Sequence, residues 1–397
     1  MGVVLIAVPL NLLLGWTNLS AVQVGAFTAS LVTAVAVANV AVVLRTLVSP
    51  RRAVLGALLL AFGTSMWTVA SAELWTHGPT TMWLSLGLLF LSRERLWLAG
   101  CALAPAITTR PHLSIAIAII GLWLGWARRS LRPVVALGVP ACAAVGVLLA
   151  WNAWYFGEAT ITSPPYGGAI GAATRPLTDG LAMFAVNVAG TFVSGWCGCL
   201  LYSPVIIVLA FAAPAGWRAA PPYARGAMLG GLGYLAVQLR VDIFTGGGNF
   251  FGSRLVLELF VVSTPLVAIG YARWAADRPW RVAVTTSLAA VSIGIHATGT
   301  LLADFRIGGN FSDWTTWYPV MVVRAAGSVG LLVVAIVLLA VLFSVRESVR
   351  TAVRLSAAGP SGSLVGDLPD RGSSVATCDE RGFELEQPRQ QTVDEAR

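Results

Sequence analysis

The chain has 397 residues, 57% of them hydrophobic and 11% charged, with a mean hydropathy of +0.77. A soluble fold has too little interior to hide that much apolar surface, so composition excludes an ordinary soluble enzyme and indicates a polytopic membrane protein. The basic charge is all arginine and the net +8 is uneven: residues 359–397 hold eight acids and four arginines, net −4, leaving +12 for the rest, the pattern of membrane anchoring rather than nucleic-acid binding.

Taken in order, Met1 to Trp16 is apolar but short and has no basic leader, which makes it a poor signal peptide and a marginal span. Apolar stretches of roughly spanning length follow near 20–44, 53–72, 79–92, 96–109, 113–127, 133–155, 198–215, 226–241, 255–272, 282–302 and 319–345. These eleven, with the marginal first segment, predict an all-α polytopic membrane bundle of about 11–12 transmembrane helices over 1–355. The short ones suit tilted or partly re-entrant helices.

Arginines orient the stretches. Arg45, Arg51 and Arg52 share one loop, Arg93 and Arg95 lie two loops on, and Arg128, Arg129 and Arg132 two beyond that. The series continues with Arg218 and Arg225, with Arg273, Arg278 and Arg281, and with Arg346, Arg350 and Arg354. Every second loop is arginine-rich, which predicts a cytoplasmic C-terminus in the cytoplasmic membrane, and outer loops at 73–79, 109–113, 156–197, 242–254 and 303–318. The segment 356–397 is rich in Gly, Pro, Ser and acids and reads as a disordered cytoplasmic tail.

The outer loops hold most of the remaining polar candidates: Glu73, His77, Arg110, His112, Glu158, Arg175, Asp179, Asp242, Arg254, Asp304 and Asp313. Their many tryptophans and tyrosines are expected as interface anchors. Cys197 and Cys199, one residue apart, fit two small apolar residues at a helix end better than a strained or metal-linked pair.

No nucleotide phosphate loop, nucleophile elbow or His-Glu-x-x-His signature is present. Ion-coupled transport would place a charge near the midplane. Only Arg324 and His296 fall within spans as candidates; both lie near the outer surface, where snorkelling or hydrogen bonding accounts for them. Glu73 and His77 are four residues apart and would share a face of one helix, unless Pro79 starts the next helix and they cap the turn between. Arg110 stands outside against the positive-inside bias, which favours a ligand or carboxylate partner. The segment Gly246-Gly-Gly-Asn-Phe-Phe-Gly-Ser-Arg-Leu-Val-Leu-Glu258 combines glycines that admit close backbone approach, Gly247 among them, with an arginine suited to phosphate. Arg254 and Glu258 are four apart at a helix start, where an ion pair would hold the arginine in place.

These residues resemble a family. Thr64–Pro79, ending in Leu-Trp-Thr-His-Gly-Pro, is similar to a stretch of bacterial GT-C-type membrane glycosyltransferases. The similarity continues through Thr109-Arg110-Pro111, Asn152–Gly157 and Leu201-Tyr-Ser-Pro204, and ends with Gly247–Glu258, which resembles the family's Gly-Gly-x-x-x-Gly-x-Arg-x-x-x-Glu segment. It covers roughly Pro9 to Gly270. The resemblance implies a GT-C-like helical core whose outer loops transfer a sugar from a polyprenyl-phosphate carrier to a glycan, lipid or protein acceptor. Such transfer needs a base for the acceptor hydroxyl and cations or a divalent metal for the departing phosphate. Arg254, Arg110 and His77 are the candidates for phosphate or carrier contacts; Glu73, Glu258, Gly247 and Asp242 complete the expected substrate-binding set. Members usually begin with a further helix and an acidic outer loop, whereas Met1–Leu10 here resembles the far end of that loop, so the catalytic base is unassigned. The alternatives are a non-catalytic polyprenyl-lipid-binding or assembly protein, and a transporter or flippase.

Overall fold

The computed structural model describes residues 2–14, 16–161, 177–246, 250–276, 278–306, 314 and 316–357. The expected tail beyond Ala357, together with Arg175, Asp313, Gly247 and the Asp179 side chain, lies outside the described residues. Those residues form an all-α bundle, with no strand among them.

In chain order the helices are α1 (Gly2–Leu14), α2 (Ala21–Arg45), α3 (Pro50–Phe62), α4 (His77–Ser92), α5 (Leu96–Thr109), α6 (Leu113–Arg128) and α7 (Arg132–Phe156). There follow α8 (Leu177–Val193), α9 (Cys199–Tyr202), α10 (Val205–Ala219), α11 (Pro222–Val241), α12 (Leu257–Trp274), α13 (Pro279–Leu301), α14 (Tyr318–Ala325) and α15 (Gly327–Ala357). Local chemistry sets several starts. Ser20 and Gln23 exchange side-chain and backbone hydrogen bonds in a capping box ahead of α2. Prolines whose missing N–H costs nothing in a first turn open α3, α11 and α13.

Four segments, Ala21–Arg45, Arg132–Phe156, Pro279–Leu301 and Gly327–Arg354, are long and apolar enough to cross a membrane. The last is apolar on all sides and only 6% buried, with Leu331 and Leu339 each 68% exposed. A helix that hydrophobic cannot face water over its whole length, so it requires lipid. Elsewhere helices meet closely through small residues: a side chain on Gly270 would strike the Ala212 carbonyl, and one on Gly216 the Leu266 carbonyl, which fixes the approach of α10 and α12.

Three expected spans are interrupted. The stretch 53–72 divides after α3 into a π-helical turn, Met66–Ala70, closed by Ser71 N–H on the Met66 carbonyl at 3.0 Å. Gly63 and Thr64 end α3 there, the threonine hydroxyl bonding back to the Leu60 carbonyl at 2.6 Å. The stretch 319–345 breaks at Gly327, with φ +57°, and 198–215 breaks at Ser203-Pro204. The expected loop 156–197 contains the apolar helix α8, which packs beside the C-terminal end of α11: Asn187 Nδ2 donates to the Leu239 and Asp242 carbonyls at 2.9 and 2.8 Å. Gly2 packs on Thr109, and α1 ends close before α2, so α1 lies along that same end of the bundle.

Candidate functional site

Arginine positions give the site its depth. Arg95 precedes α5 and Arg110 follows it, so the 14 residues of α5 separate them by about 21 Å. From Arg132 the 25 residues of α7 rise about 37 Å. The arginine-rich ends are level, since Glu94 and Arg128 form an ion pair there. Arg110 therefore sits well below the level α7 reaches, at the floor of a recess where α4 and α12 begin and α5 and α11 end.

Five side chains form one chain of hydrogen bonds across this floor. Glu258 Oε1 lies 2.8 Å from His77 Nδ1 and 3.8 Å from Arg110 Nη1. Arg110 Nη1 lies 2.6 Å from His77 Nε2 and 2.9 Å from Nδ1. A guanidinium only donates, so Nε2 accepts and Nδ1–H donates to Glu258; the partners assign the tautomer. Arg110 Nη2 donates to Gln238 Oε1 at 2.7 Å, and Gln238 Nε2 donates to Asp242 Oδ2 at 2.7 Å. His77 and Glu258 are each 1% exposed and Arg110 8%, whereas Asp242 is half-buried at the mouth. Charges that deep persist only when paired and hydrogen-bonded, and this chain supplies both conditions.

Beside the floor runs the loop that carries Arg254. Gly246 has φ +62°, and a β-carbon there would collide with the Arg254 side chain. Gly252 has φ +104°, and its β-carbon would come within 2.7 Å of Ser65 Oγ. Only glycine takes both conformations without strain. The loop is pinned from beneath: Thr68 Oγ1 donates to the Phe251 carbonyl at 2.6 Å and meets His296 Nδ1 at 3.1 Å, while Ser203 Oγ meets His296 Nε2 at 2.9 Å. His296 is thus a hydrogen-bonded buttress rather than a charge in a transport path.

Arg254 differs from Arg110. Its guanidinium lies 4.5 Å over the Phe250 ring, and among the described residues it makes no hydrogen bond or ion pair. Burial lowers its pKa from the ordinary value, with the Asp242 carboxylate opposing the shift. Around it, Arg254 Nε, Arg110 Nε and Ser253 Oγ are buried donors with no hydrogen-bond partner among the described residues, while the buried Tyr234 hydroxyl lies against Glu258, whose Oε2 has no other partner. Tyr234 stacks on His112 at 4.9 Å and lies 5.8 Å from the Arg110 guanidinium. Two guanidinium groups and the Ser253 hydroxyl together present donors suited to an anion with several oxygens.

Of the expected site residues, His77, Arg110, Glu258 and Asp242 come together, with Arg254 beside them. One pairing is corrected, and of the two readings open for Glu73 and His77 the structure shows the turn. Glu258 is engaged with His77 and Arg110 instead of Arg254, because α12 starts only at Leu257 and turns Glu258 inward. Glu73 shares no helix with His77: it lies exposed in the turn before α4 and accepts from the Trp75 indole N–H at 2.6 Å. Gln238 and Asn187 are not among the expected site residues, although an amide four residues before Asp242 in the final turns of a largely apolar helix is a legible signal. Cys197 and Cys199 are free and buried; Cys197 donates to the Phe244 carbonyl at 3.3 Å, and burial pushes its thiol up to about 11. Among the described residues no three His, Cys, Asp or Glu side chains converge as a metal site. Comparison with known proteins gives no match: no family model, curated protein or solved structure is similar to this chain.

Proposed function

We propose that this chain is a GT-C-like membrane glycosyltransferase that takes a sugar from a polyprenyl-phosphate carrier at the outer face of the cytoplasmic membrane. The observation that carries the reading is the partly buried Arg254 guanidinium, without hydrogen bond or ion pair among the described residues, beside the Arg110–His77–Glu258 cluster. The ordered series of resembling motifs supplies the reaction class. A carrier lipid in the bilayer brings its phosphate to this depth without leaving the membrane, and the recess receives it from the side.

In this reading Arg254 and Arg110 hold the phosphate, and Glu258 acts through His77 to fix Arg110. Asp242 is the base. Glu258 is fully buried and engaged through Oε1 with His77 and Arg110, and Glu73 stands outside the network, whereas Asp242 is half-buried and carries a carboxylate oriented by Gln238 and the Ile243 N–H. It takes the proton from the acceptor hydroxyl while that oxygen bonds to the anomeric carbon. The bond from that carbon to the phosphate oxygen breaks, and its electron pair stays on the phosphate, where the arginines stabilise the charge.

The test is transfer of labelled sugar from polyprenyl-phosphate donors in proteoliposomes. Wild-type protein is expected to yield a glycosidic product, and Asp242→Asn is expected to lose about 10²–10⁴-fold in rate while still binding donor. Unimpaired transfer by Asp242→Asn removes it as the base. Flux of substrate across the vesicle without any product would instead establish the transporter reading.

A further inference from the structure

At the arginine-rich end, far from the recess, two shallow grooves of 430 and 580 Å³ meet along Trp126 and Arg129. One runs between the end of α6 and the start of α7 over Leu122, Leu131 and Val134. The other runs between α6, α10 and α11 over Trp123, Trp217 and Arg225. The fork has an apolar floor and a cationic head. Trp126 is 72% exposed, Leu131 77% and Leu122 60%, an apolar surface that water does not favour. Trp123 packs at a tilt against both Trp126 and Trp217 and donates its indole N–H to the Pro222 carbonyl at 3.0 Å, which holds the aromatic wall.

The cations at the head have few protein partners. Arg128 is neutralised by Glu94, but the Arg129 side chain makes no ion pair or hydrogen bond among the described residues, its backbone N–H donating to the Trp126 carbonyl at 3.2 Å. Arg129 also closes α6 in the left-handed conformation, φ 49°, a position that glycine fills without strain. Arg225 donates from Nη2 to the Arg218 carbonyl at 3.2 Å, and its buried Nε has no protein partner.

We infer that this fork is a specific site for one anionic glycerophospholipid of the surrounding leaflet. Its phosphate lies between Arg129 and Arg225, and its two acyl chains follow the two grooves, one along Leu122, Leu131 and Val134 and the other along Trp123 and Trp217. Charge decides the occupant: a zwitterionic lipid carries its own ammonium into the arginine pair, whereas phosphatidylglycerol presents a phosphate alone. Two branches joined at one cationic point match a double-chained lipid. This site is independent of the recess at the other end and of the reaction proposed for it.

The test uses full-length protein in nanodiscs. One face contains phosphatidylcholine only, the other a fraction of phosphatidylglycerol, and native mass spectrometry counts lipid retained after release. Wild-type protein is expected to keep one phosphatidylglycerol, and removing each arginine to weaken retention about fivefold, so that Arg129→Ala/Arg225→Ala loses it. Arg95→Ala, at the same end but outside the fork, is expected to behave as wild type. Brominated phosphatidylglycerol should quench wild-type fluorescence more than that of Trp126→Phe, a variant that keeps an aromatic ring and needs no refolding of the wall. Equal retention of both lipids by wild type, unchanged retention by the double variant, or equal quenching in Trp126→Phe would each overturn the assignment and leave ordinary annular lipid.

Discussion

Glu258→Ala is expected to destabilise the protein by about 3–5 kcal/mol, because it strands the buried Arg110 guanidinium and the His77 Nδ1–H without their acceptor. The effect is large for the depth of the cluster, not for the strength of the pair. Desolvation of both charges already cancels much of their attraction, so the loss measures the cost of a solitary buried cation. Two further variants separate these terms. Glu258→Gln keeps an acceptor for His77 and should lose less. Arg110→Met with Glu258→Leu removes both charges for side chains of similar volume and should recover much of the stability while abolishing any anion affinity. Unfolding in mixed detergent, followed by intrinsic fluorescence, reads all three. Wild-type stability in Glu258→Ala would mean that water reaches the cluster and that the recess is not the closed floor described above.

The legible part of this fold is the part set by hydropathy and charge. α2, α4, α5, α6, α7 and α11–α13 lie within a few residues of their expected spans, because a run of apolar residues between arginines leaves the backbone only helix as a way to bond itself. Interruptions were not legible. Thr64 and Ser65 are compatible with helix, and the π-helical turn that follows α3 is tied through Thr68 to the Phe251 carbonyl, a contact 183 residues away. α8, 17 residues long and apolar, was as legible by hydropathy as α5, but arginine alternation assigned all of 156–197 to one outer loop and so concealed it. At the site, placing His77, Arg110, Asp242, Arg254 and Glu258 at one end followed from charge alternation alone. Their partnership did not. Spacing pairs Arg254 with Glu258, but the helix begins between them, so the i, i+4 geometry is lost and Glu258 turns to residues on α4 and α5 that no local rule connects to it.

Arg254→Ala is the complementary experiment, with a large loss of transfer and almost none of stability. Among the described residues the guanidinium has no hydrogen bond or ion pair to lose, and its contact with the Phe250 ring contributes about 0.5–1 kcal/mol. If the group binds phosphate in the transition state, its removal should cost about 10²–10³-fold in transfer rate, the scale for deleting one donor to a developing oxyanion. Arg254→Lys keeps the charge but not the two-pronged donor, and should fall between. Melting temperature with and without polyprenyl phosphate divides the outcomes. Wild-type protein is expected to be stabilised by the lipid and Arg254→Ala not, at equal intrinsic stability. Lipid stabilisation that needs Arg254 in a wild-type protein with no detectable transfer would favour the non-catalytic lipid-binding reading. Transfer at the wild-type rate by Arg254→Ala would remove this residue from the phosphate site, and with it the reason for the two glycines that hold its loop against the floor.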